Sequence, residues 1–294
     1  MEAGPLFADA KGREVVAPDF AGELVADTHA HLDMLEDPVA ALANAGRAGI
    51  GLIATVADPR EDARRTYAEL AAWLKAASKT LSKVEPGAML PRVRIILGVH
   101  PHNAKEFSAE VEALMGELAA NPLTCAIGEI GLDYHYDHSP RDAQRAIFRR
   151  QLELAHELRL PAVIHLREAH GDGERILKQV GVPEAGCILH CYNLGAEQMR
   201  SFLEMGCHVS FAGPVTFKKA EEVRTAAALV PADRILTETD CPFMAPEPFR
   251  GRKNEPAYTV FTTARIAEAR GQSLPEFAAI AYANARSLLD KERS

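Results

Sequence analysis

Histidine and carboxylate side chains stand at the ends of five short apolar segments of this 294-residue chain. An apolar segment that ends in an ionisable side chain needs a reason, because an unpaired buried charge is costly. Four imidazoles and two carboxylates form a ligand set for divalent metal ions, and the set is large enough for two ions. The six candidate ligands are His29, His31, Glu129, His165, His190 and Asp240.

Each candidate ligand, taken alone, also has a structural explanation. His29 and His31 have strand spacing, so both rings point to one side, but eleven histidines predict about 0.4 such pairs by chance. A second pair, His100 and His102, is present, so one of the two could be accidental. Buried glutamates form salt bridges, single histidines in apolar runs are often core residues, and an aspartate before Cys-Pro commonly forms a turn. One metal site accounts for all of these positions together, and the pattern therefore favours it.

Eight short apolar runs alternate with segments of helical periodicity along the chain. The runs are bounded by glycine, proline or charged residues, as buried parallel strands are. They are Leu24–Leu32, Gly51–Val56, Val93–Val99, Cys125–Leu132, Ala162–Leu166, Cys187–Cys191, Cys207–Gly213 and Arg234–Asp240. The clearest helical segments are Asp62–Ala77, Asp142–Arg159, Pro256–Arg270 and Pro275–Leu289.

Eight strand-helix units predict an α/β fold with a parallel sheet, and eight is the number that closes a (β/α)8 TIM barrel. An open doubly wound sheet is the alternative. In a barrel the carboxyl ends of all the strands meet around one mouth, whereas in an open sheet the first and eighth strands lie far apart. The candidate ligands on these two strands therefore favour the closed barrel.

The chain shows no break in composition, which indicates a single barrel domain over residues 24–294. Residues 1–23 read as an N-terminal extension whose order the sequence leaves open, and Ser78–Pro91 reads as a loop extension before the third strand. The net charge of −8 argues against a surface that binds nucleic acid everywhere, but it leaves room for a local basic patch.

Several classes of protein are disfavoured by the same sequence. No apolar run approaches the roughly 18 residues of a membrane span, and the first residues lack the basic start and apolar middle of a secretory leader. Five cysteines without a C-x-x-C pair fit neither a disulfide framework nor a zinc ribbon. These features predict a cytoplasmic protein.

Four further residues are candidates for contact with the substrate: His100, Arg167, Arg250 and Arg252. His100 ends the third run, where it could contact the substrate or cap the loop. Arg167 follows His165 on the same face and could hold an anion. The cluster Arg250–Lys253 after the eighth run is either a phosphate-binding element or a solvated surface segment. Asp27 and Glu238 share the faces of the ligands near them, as hydrogen-bond partners of those ligands or as ordinary ion pairs.

The chain resembles the TatD family of metal-dependent hydrolases over nearly all of Leu24–Leu289. The segments that carry the resemblance are DTHAHLD (27–33), GVHPH (98–102), GEIGLDY (128–134), VIHLR (163–167), LHCY (189–192) and ETDCPFMAPEPFRGRKNEP (238–256). Two positions depart from the usual family pattern: Tyr192, where phenylalanine is usual, and Cys241, where serine is common. Neither change affects a candidate ligand.

The resemblance implies a TIM barrel that holds two divalent metal ions, with Mg²⁺, Mn²⁺ and Zn²⁺ as the candidates. His29, His31 and Asp240 would bind the first ion, His165 and His190 the second, and Glu129 would bridge them. It also implies a deoxyribonuclease, commonly a 3′–5′ exonuclease on single-stranded DNA ends, with Asp240 orienting the attacking water and accepting its proton.

Two other functions stay open from the sequence. One is hydrolysis of a different bond by the same type of metal site, such as the ester of D-aminoacyl-tRNA, or an amide or lactone. The other is a metal-stabilised barrel that binds without turnover, which the complete ligand set argues against. No feature of the sequence selects an oligomeric state, and a monomer is compatible with it.

Overall fold

A computed structural model describes residues 5–9, 11–61 and 63–291 of the chain. Eight parallel strands follow one another around a single sheet in chain order. They are β1 (Val25–Ala30), β2 (Ile50–Ala57), β3 (Arg92–Leu97), β4 (Thr124–Asp133), β5 (Ala162–Arg167), β6 (Cys187–Leu189), β7 (His208–Phe211) and β8 (Ile235–Thr237).

Helices connect the strands on the outside of the sheet. Those described are α1 (Pro38–Arg47), α2 (Ala63–Val84), α3 (Ala109–Ala119), α4 (Arg141–Leu158), α5 (His170–Val180), α6 (Ala196–Glu204), α7 (Glu221–Leu229), α8 (Thr259–Arg270) and α9 (Leu274–Leu289). Their starts follow ordinary capping chemistry: Asp37 caps α1, Ser108 caps α3 and Ser273 caps α9, each through a side-chain oxygen that accepts a backbone N–H.

Backbone contacts between β1 and the segment after β8 close the sheet into a barrel. Ala30 and Cys241 form a parallel bridge, the Asp240 N–H donates to the His29 carbonyl at 2.9 Å, and the His31 N–H donates to the Cys241 carbonyl at 2.9 Å. The predicted (β/α)8 barrel is therefore confirmed. Closure brings His29 and His31 beside Asp240, although more than 200 residues separate them in sequence.

Two layers of apolar side chains stabilise the barrel. The larger layer lies between strands and helices. The smaller one takes residues from seven of the eight strands, among them Leu52, Val163 and Leu236, and fills the barrel interior. Leu288 and Leu289 of α9 pack against this interior layer. All six residues of β1 and all ten of β4 are buried, so both faces of these strands are covered.

The predicted loop over Ser78–Pro91 is wrong in its first half, because α2 continues to Val84. Trp73, Ala77 and Leu81 are spaced four residues apart and are all buried, so the apolar stripe of the helix runs past Ala77. The helix ends just before Pro86-Gly87, where Gly87 adopts a φ of 96°. The connection to β3 is therefore short.

Part of the N-terminal extension packs on the barrel. Phe7 is buried, and its ring lies 5.0 Å from that of Phe261 and 6.0 Å from those of Phe249 and Tyr258. Residues 1–4 and 10 of the extension, and residues 62 and 292–294 of the predicted domain, lie outside the described residues, so the predicted start of a helical segment at Asp62 lies outside them too. The domain boundaries at 24 and 294 stay a prediction.

The sequence disfavours a membrane-spanning protein and a disulfide framework, and the structure describes the features that concern both. In the part of the chain that the structure describes, no helix is long and apolar enough to cross a membrane. All five cysteines are free thiols.

We predict that Gly131→Ala destabilises the protein by about 3 kcal/mol or more. Gly131 has a φ of 145°, and a Cβ there would lie 2.0 Å from the His165 carbonyl oxygen, a backbone atom that cannot move aside cheaply. Urea unfolding should show a lower midpoint with an unchanged slope. The control is Gly116→Ala within α3, where a Cβ meets open space and helix propensity predicts a gain of about 0.5–1 kcal/mol. Equal midpoints for the two variants would contradict the prediction.

Candidate metal centre

A cavity of about 420 Å³ opens at the carboxyl ends of the strands. Its walls come from the ends of β1, β2, β3, β4, β5, β6 and β8 and from the loops that follow them. This is the face on which a TIM barrel places side chains from many strands around one point. Five of the six candidate ligands line the cavity, and the sixth, His29, is fully buried directly behind it.

Glu129 lies at the centre of this arrangement, and its two carboxylate oxygens face different histidines. Oε2 lies 3.2 Å from His29 Nε2 and 3.9 Å from His31 Nε2. Oε1 lies 2.7 Å from His165 Nδ1 and 2.9 Å from His190 Nε2. A carboxylate placed in this way divides the ligand set into two halves, which touch where the His29 and His190 rings stack 3.8 Å apart.

The first half contains His29, His31 and Asp240. Asp240 Oδ1 lies 3.5 Å from His31 Nε2 and 3.9 Å from His29 Nε2, and one ligand atom from each residue falls within 4.8 Å of the others. His29 Nε2 is buried and makes no hydrogen bond of good geometry among the described residues, although Glu129 Oε2 lies 3.2 Å from it. A buried ring nitrogen without such a bond is costly in a metal-free protein, and a bound cation would satisfy it.

The second half contains His165 and His190, together with His100. His165 Nδ1 lies 3.4 Å from His190 Nε2, and His100 Nε2 lies 3.5 Å from Glu129 Oε1. His100, Glu129 and His165 form a group that could hold a cation. The structure therefore places His100 close enough to be a metal ligand, a role that the sequence did not suggest, while its predicted contact with substrate stays a prediction.

The two carboxylates of the centre have lowered pKa values. Burial raises the pKa of Glu129, but the His190, His100 and His29 rings outweigh burial and hold this pKa well below its usual range. Burial likewise raises the pKa of Asp240, and the hydrogen bond from His31 and the nearby rings more than reverse it. Both carboxylates are therefore ionised at neutral pH. Burial lowers the pKa of His100 to about 4, so that ring is neutral, and its Nδ1 accepts the His102 N–H at 3.2 Å.

Glu238 fixes the orientation of His190. Glu238 Oε1 lies 3.1 Å from His190 Nδ1 and accepts the Cys191 N–H at 2.5 Å. When Nδ1 donates to this carboxylate, Nε2 is left to face Glu129 as a ligand. Asp27 instead accepts the N–H and the hydroxyl of Thr239, at 2.8 and 2.6 Å. Both acids therefore hold the segments that carry ligands.

Asp133 is not among the residues predicted from the sequence, but in the structure its carboxylate contacts two histidines. Its carboxylate is buried, with Oδ2 2.9 Å from His102 Nε2 and 3.4 Å from His165 Nε2. Asp133 follows Glu129 by four residues on β4, a spacing that places two side chains on one face of a strand. This spacing was the signal that could have found it. Asp133 therefore lies between the His165 ring and His102, and it connects the pair His100 and His102 to the centre.

Only one of the three predicted substrate-binding arginines lines the cavity. Arg167 does so, and its guanidinium carbon lies 4.7 Å from the centre of the Tyr136 ring. Arg250 packs over Phe217 at 4.2 Å, and Arg252 donates to the Ala8 carbonyl of the N-terminal extension. The structure does not bring Arg250 and Arg252 to the cavity wall.

Residues 26–290 match the family model described as TatD related DNase. The chain belongs to the TatD family. The resemblance read from the six sequence segments is thereby confirmed, and with it the assignment of this TatD-family protein as a metal-dependent hydrolase. The family match covers the whole barrel, from β1 to the end of α9.

Two relatives and one solved structure illustrate what this TatD-family chain is similar to. It is 44% identical over 192 residues to the Bacillus subtilis uncharacterized metal-dependent hydrolase YabD, covering 65% of this chain and 75% of that protein. It is 39% identical over 196 residues to the 3′–5′ ssDNA/RNA exonuclease TatD of Erwinia amylovora, covering 65% and 76%. The crystal structure of the Escherichia coli TatD homolog YJJV superposes with a TM-score of 0.78 at 26% identity, over 91% of this chain and 98% of that one.

Proposed function

We propose that this protein hydrolyses phosphodiester bonds at the ends of single-stranded DNA, as a 3′–5′ exonuclease, with two divalent metal ions in the candidate metal centre. The observation that carries the proposal is the position of Glu129, whose two oxygens face two separate groups of ring nitrogens. One carboxylate between two imidazole groups is an arrangement that could hold a pair of cations. The name of the Erwinia amylovora relative supports nucleic acid as the substrate class.

The donor set suits Mn²⁺ or Zn²⁺, because imidazole nitrogens and carboxylate oxygens are mixed, and Mg²⁺ is possible where waters complete its shell. His29, His31 and Asp240 would hold one ion, His165 and His190 the other, and Glu129 would lie between them. Bound there, the ions supply Lewis-acid chemistry, which acidifies water and neutralises charge on the phosphate oxygens.

Asp240 is the residue best placed to act on the attacking water. Its side chain is 14% exposed and reaches the cavity, whereas the Glu129 side chain is 5% exposed and has both oxygens committed to rings. The pKa of Asp240 is below its usual range, so the carboxylate is ionised at neutral pH and can accept a hydrogen bond from the attacking water. Asp240 therefore serves as the general base.

Arg167 is placed to hold the substrate phosphate. No other lysine or arginine among the described residues lines the cavity, and Arg167 lies on β5 two residues beyond His165. A fixed guanidinium can pair with two oxygens of one phosphate. The net charge of −8 predicts weak binding of nucleic acid elsewhere on the surface, so binding energy is concentrated at the mouth.

Digestion of end-labelled oligonucleotides tests this function. Purified protein with added Mn²⁺ or Mg²⁺ is expected to shorten single-stranded DNA from the 3′ end, one nucleotide at a time. D-aminoacyl-tRNA assayed beside it distinguishes the alternative ester hydrolysis, which the same ligand set could perform. Deacylation without digestion of DNA would contradict the proposal, and the absence of any turnover would favour a barrel that binds without catalysis.

A further inference from the structure

Exposed apolar side chains are concentrated at the mouth of the cavity. Eight large hydrophobic side chains are exposed among the described residues. Half of this group lines the one cavity that holds the candidate metal centre: Met34, Tyr136, Phe243 and Met244. Exposed apolar surface gathered at a site, and not scattered, indicates a surface that a ligand covers.

Three of these side chains, Met34, Phe243 and Met244, lie on the segments that follow β1 and β8 and are called the apolar patch below. Met34 follows β1, and Phe243 and Met244 follow β8, so they come from the two strands whose contact closes the barrel. The Phe243 N–H donates to the Asp240 carbonyl at 2.9 Å. The Phe243 ring lies 6.1 Å from the His31 ring. The patch is therefore directly beside the proposed general base.

The cationic wall lies on the other side of the mouth. Arg167 ends β5 and Tyr136 follows β4, which are half-way round an eight-stranded barrel from β1 and β8. Tyr136 already packs against four groups. Arg167 lies over its ring, His138 lies parallel to it at 5.6 Å, and the His102 and His135 rings meet it edge-on. Phe243 has the His31 ring as its one aromatic neighbour among the described residues and is 49% exposed. It is the aromatic surface available for stacking.

From the apolar and cationic walls on opposite sides of the mouth we infer that Phe243, which lines the cavity together with Met34 and Met244, is the stacking surface for the nucleobase next to the scissile phosphate. Arg167 holds the phosphate from the opposite wall. The inference rests on the proposed function. It assigns to Phe243 the recognition of a planar base, whichever base it is. Every base has a π-face, so an aromatic ring with sulfur-containing neighbours accepts all of them.

The test compares binding of two ligands that share a sugar phosphate: deoxyadenosine 5′-monophosphate and deoxyribose 5-phosphate. Calorimetry with Mn²⁺-loaded wild-type protein is expected to show tighter binding of the nucleotide by about 5- to 150-fold, the range for stacking of one base. Phe243→Ala should bind the two ligands almost equally, and Phe243→Trp should keep the preference. Phe243 is half exposed, so both variants are expected to fold.

Leu229→Ala is the matched control, because Leu229 is an exposed apolar residue away from the cavity, and its preference should equal that of the wild type. A preference that survives in Phe243→Ala, or wild-type protein that binds both ligands equally or neither, would overturn the inference. The binding assay needs no turnover. Failure of the proposed nuclease activity would therefore show separately, as intact DNA in the digestion assay.

Discussion

Replacing Asp240 with asparagine is expected to lower the turnover of single-stranded DNA by about 10²- to 10⁴-fold, the range for loss of a general base. The amide has the shape of the carboxylate, but it cannot take a proton from water. Asp240 has a φ of 56°, and asparagine tolerates this left-handed conformation. The backbone that places His29 against this segment should therefore persist, and the loss should appear in kcat while circular dichroism and the melting temperature stay near the wild-type values.

Asp137→Asn is the matched control for this variant. Asp137 has a similar φ of 50° and undergoes the same chemical change, but its partner is Arg141 on the surface and it does not line the cavity. Its turnover should equal that of the wild type. Near-normal hydrolysis by Asp240→Asn would remove Asp240 from the role of general base.

Replacing Glu129 with glutamine is expected to weaken metal binding and turnover together, by more than about 100-fold. Loss of a residue that only supports a metal ligand typically costs 10- to 100-fold, and Glu129 would contact both ions directly. Its depressed pKa means that the wild-type side chain is ionised at neutral pH, so the variant removes a full negative charge. A neutral amide also offers one acceptor oxygen where the carboxylate offers two.

The measurement is calorimetric titration of metal-free Glu129→Gln with Mn²⁺, beside the wild type. Glu157→Gln provides the control, since Glu157 pairs with Arg150 on the outside of α4. Wild-type affinity in Glu129→Gln would contradict the bridging position, whereas loss in the control as well would point to a general effect of charge.

The fold and the convergence of the candidate ligands could be read from the sequence because they depend on local patterns. Eight apolar runs predicted eight strands, and a barrel brings the ends of all parallel strands to one face. Polar residues at those ends, such as Glu129 and His165, therefore had to meet. The prediction ended the helix at Ala77 because Ser78 and the residues after it have the composition of a loop. In the structure α2 continues to Val84, and the burial of Leu81 that accompanies this extension depends on tertiary packing.

Features set by long-range contacts could not be read in this way. Arg252 lies in a basic cluster beside the eighth strand, but its guanidinium bonds to Ala8 of the extension, a contact between residues 244 positions apart. The separate orientation of the two Glu129 oxygens depends on side-chain geometry and not on spacing. The exposure of Phe243 is likewise visible only once neighbouring loops are placed.

The metal content of the wild-type protein beside that of His165→Ala tests the central claim most directly. Elemental analysis after loading with Mn²⁺ and removal of free metal is predicted to give two ions per wild-type chain and about one in the variant. His156→Ala, which removes an exposed histidine on α4, should keep both. A single ion in the wild type, or a full complement retained by His165→Ala, would contradict a two-ion centre divided by Glu129.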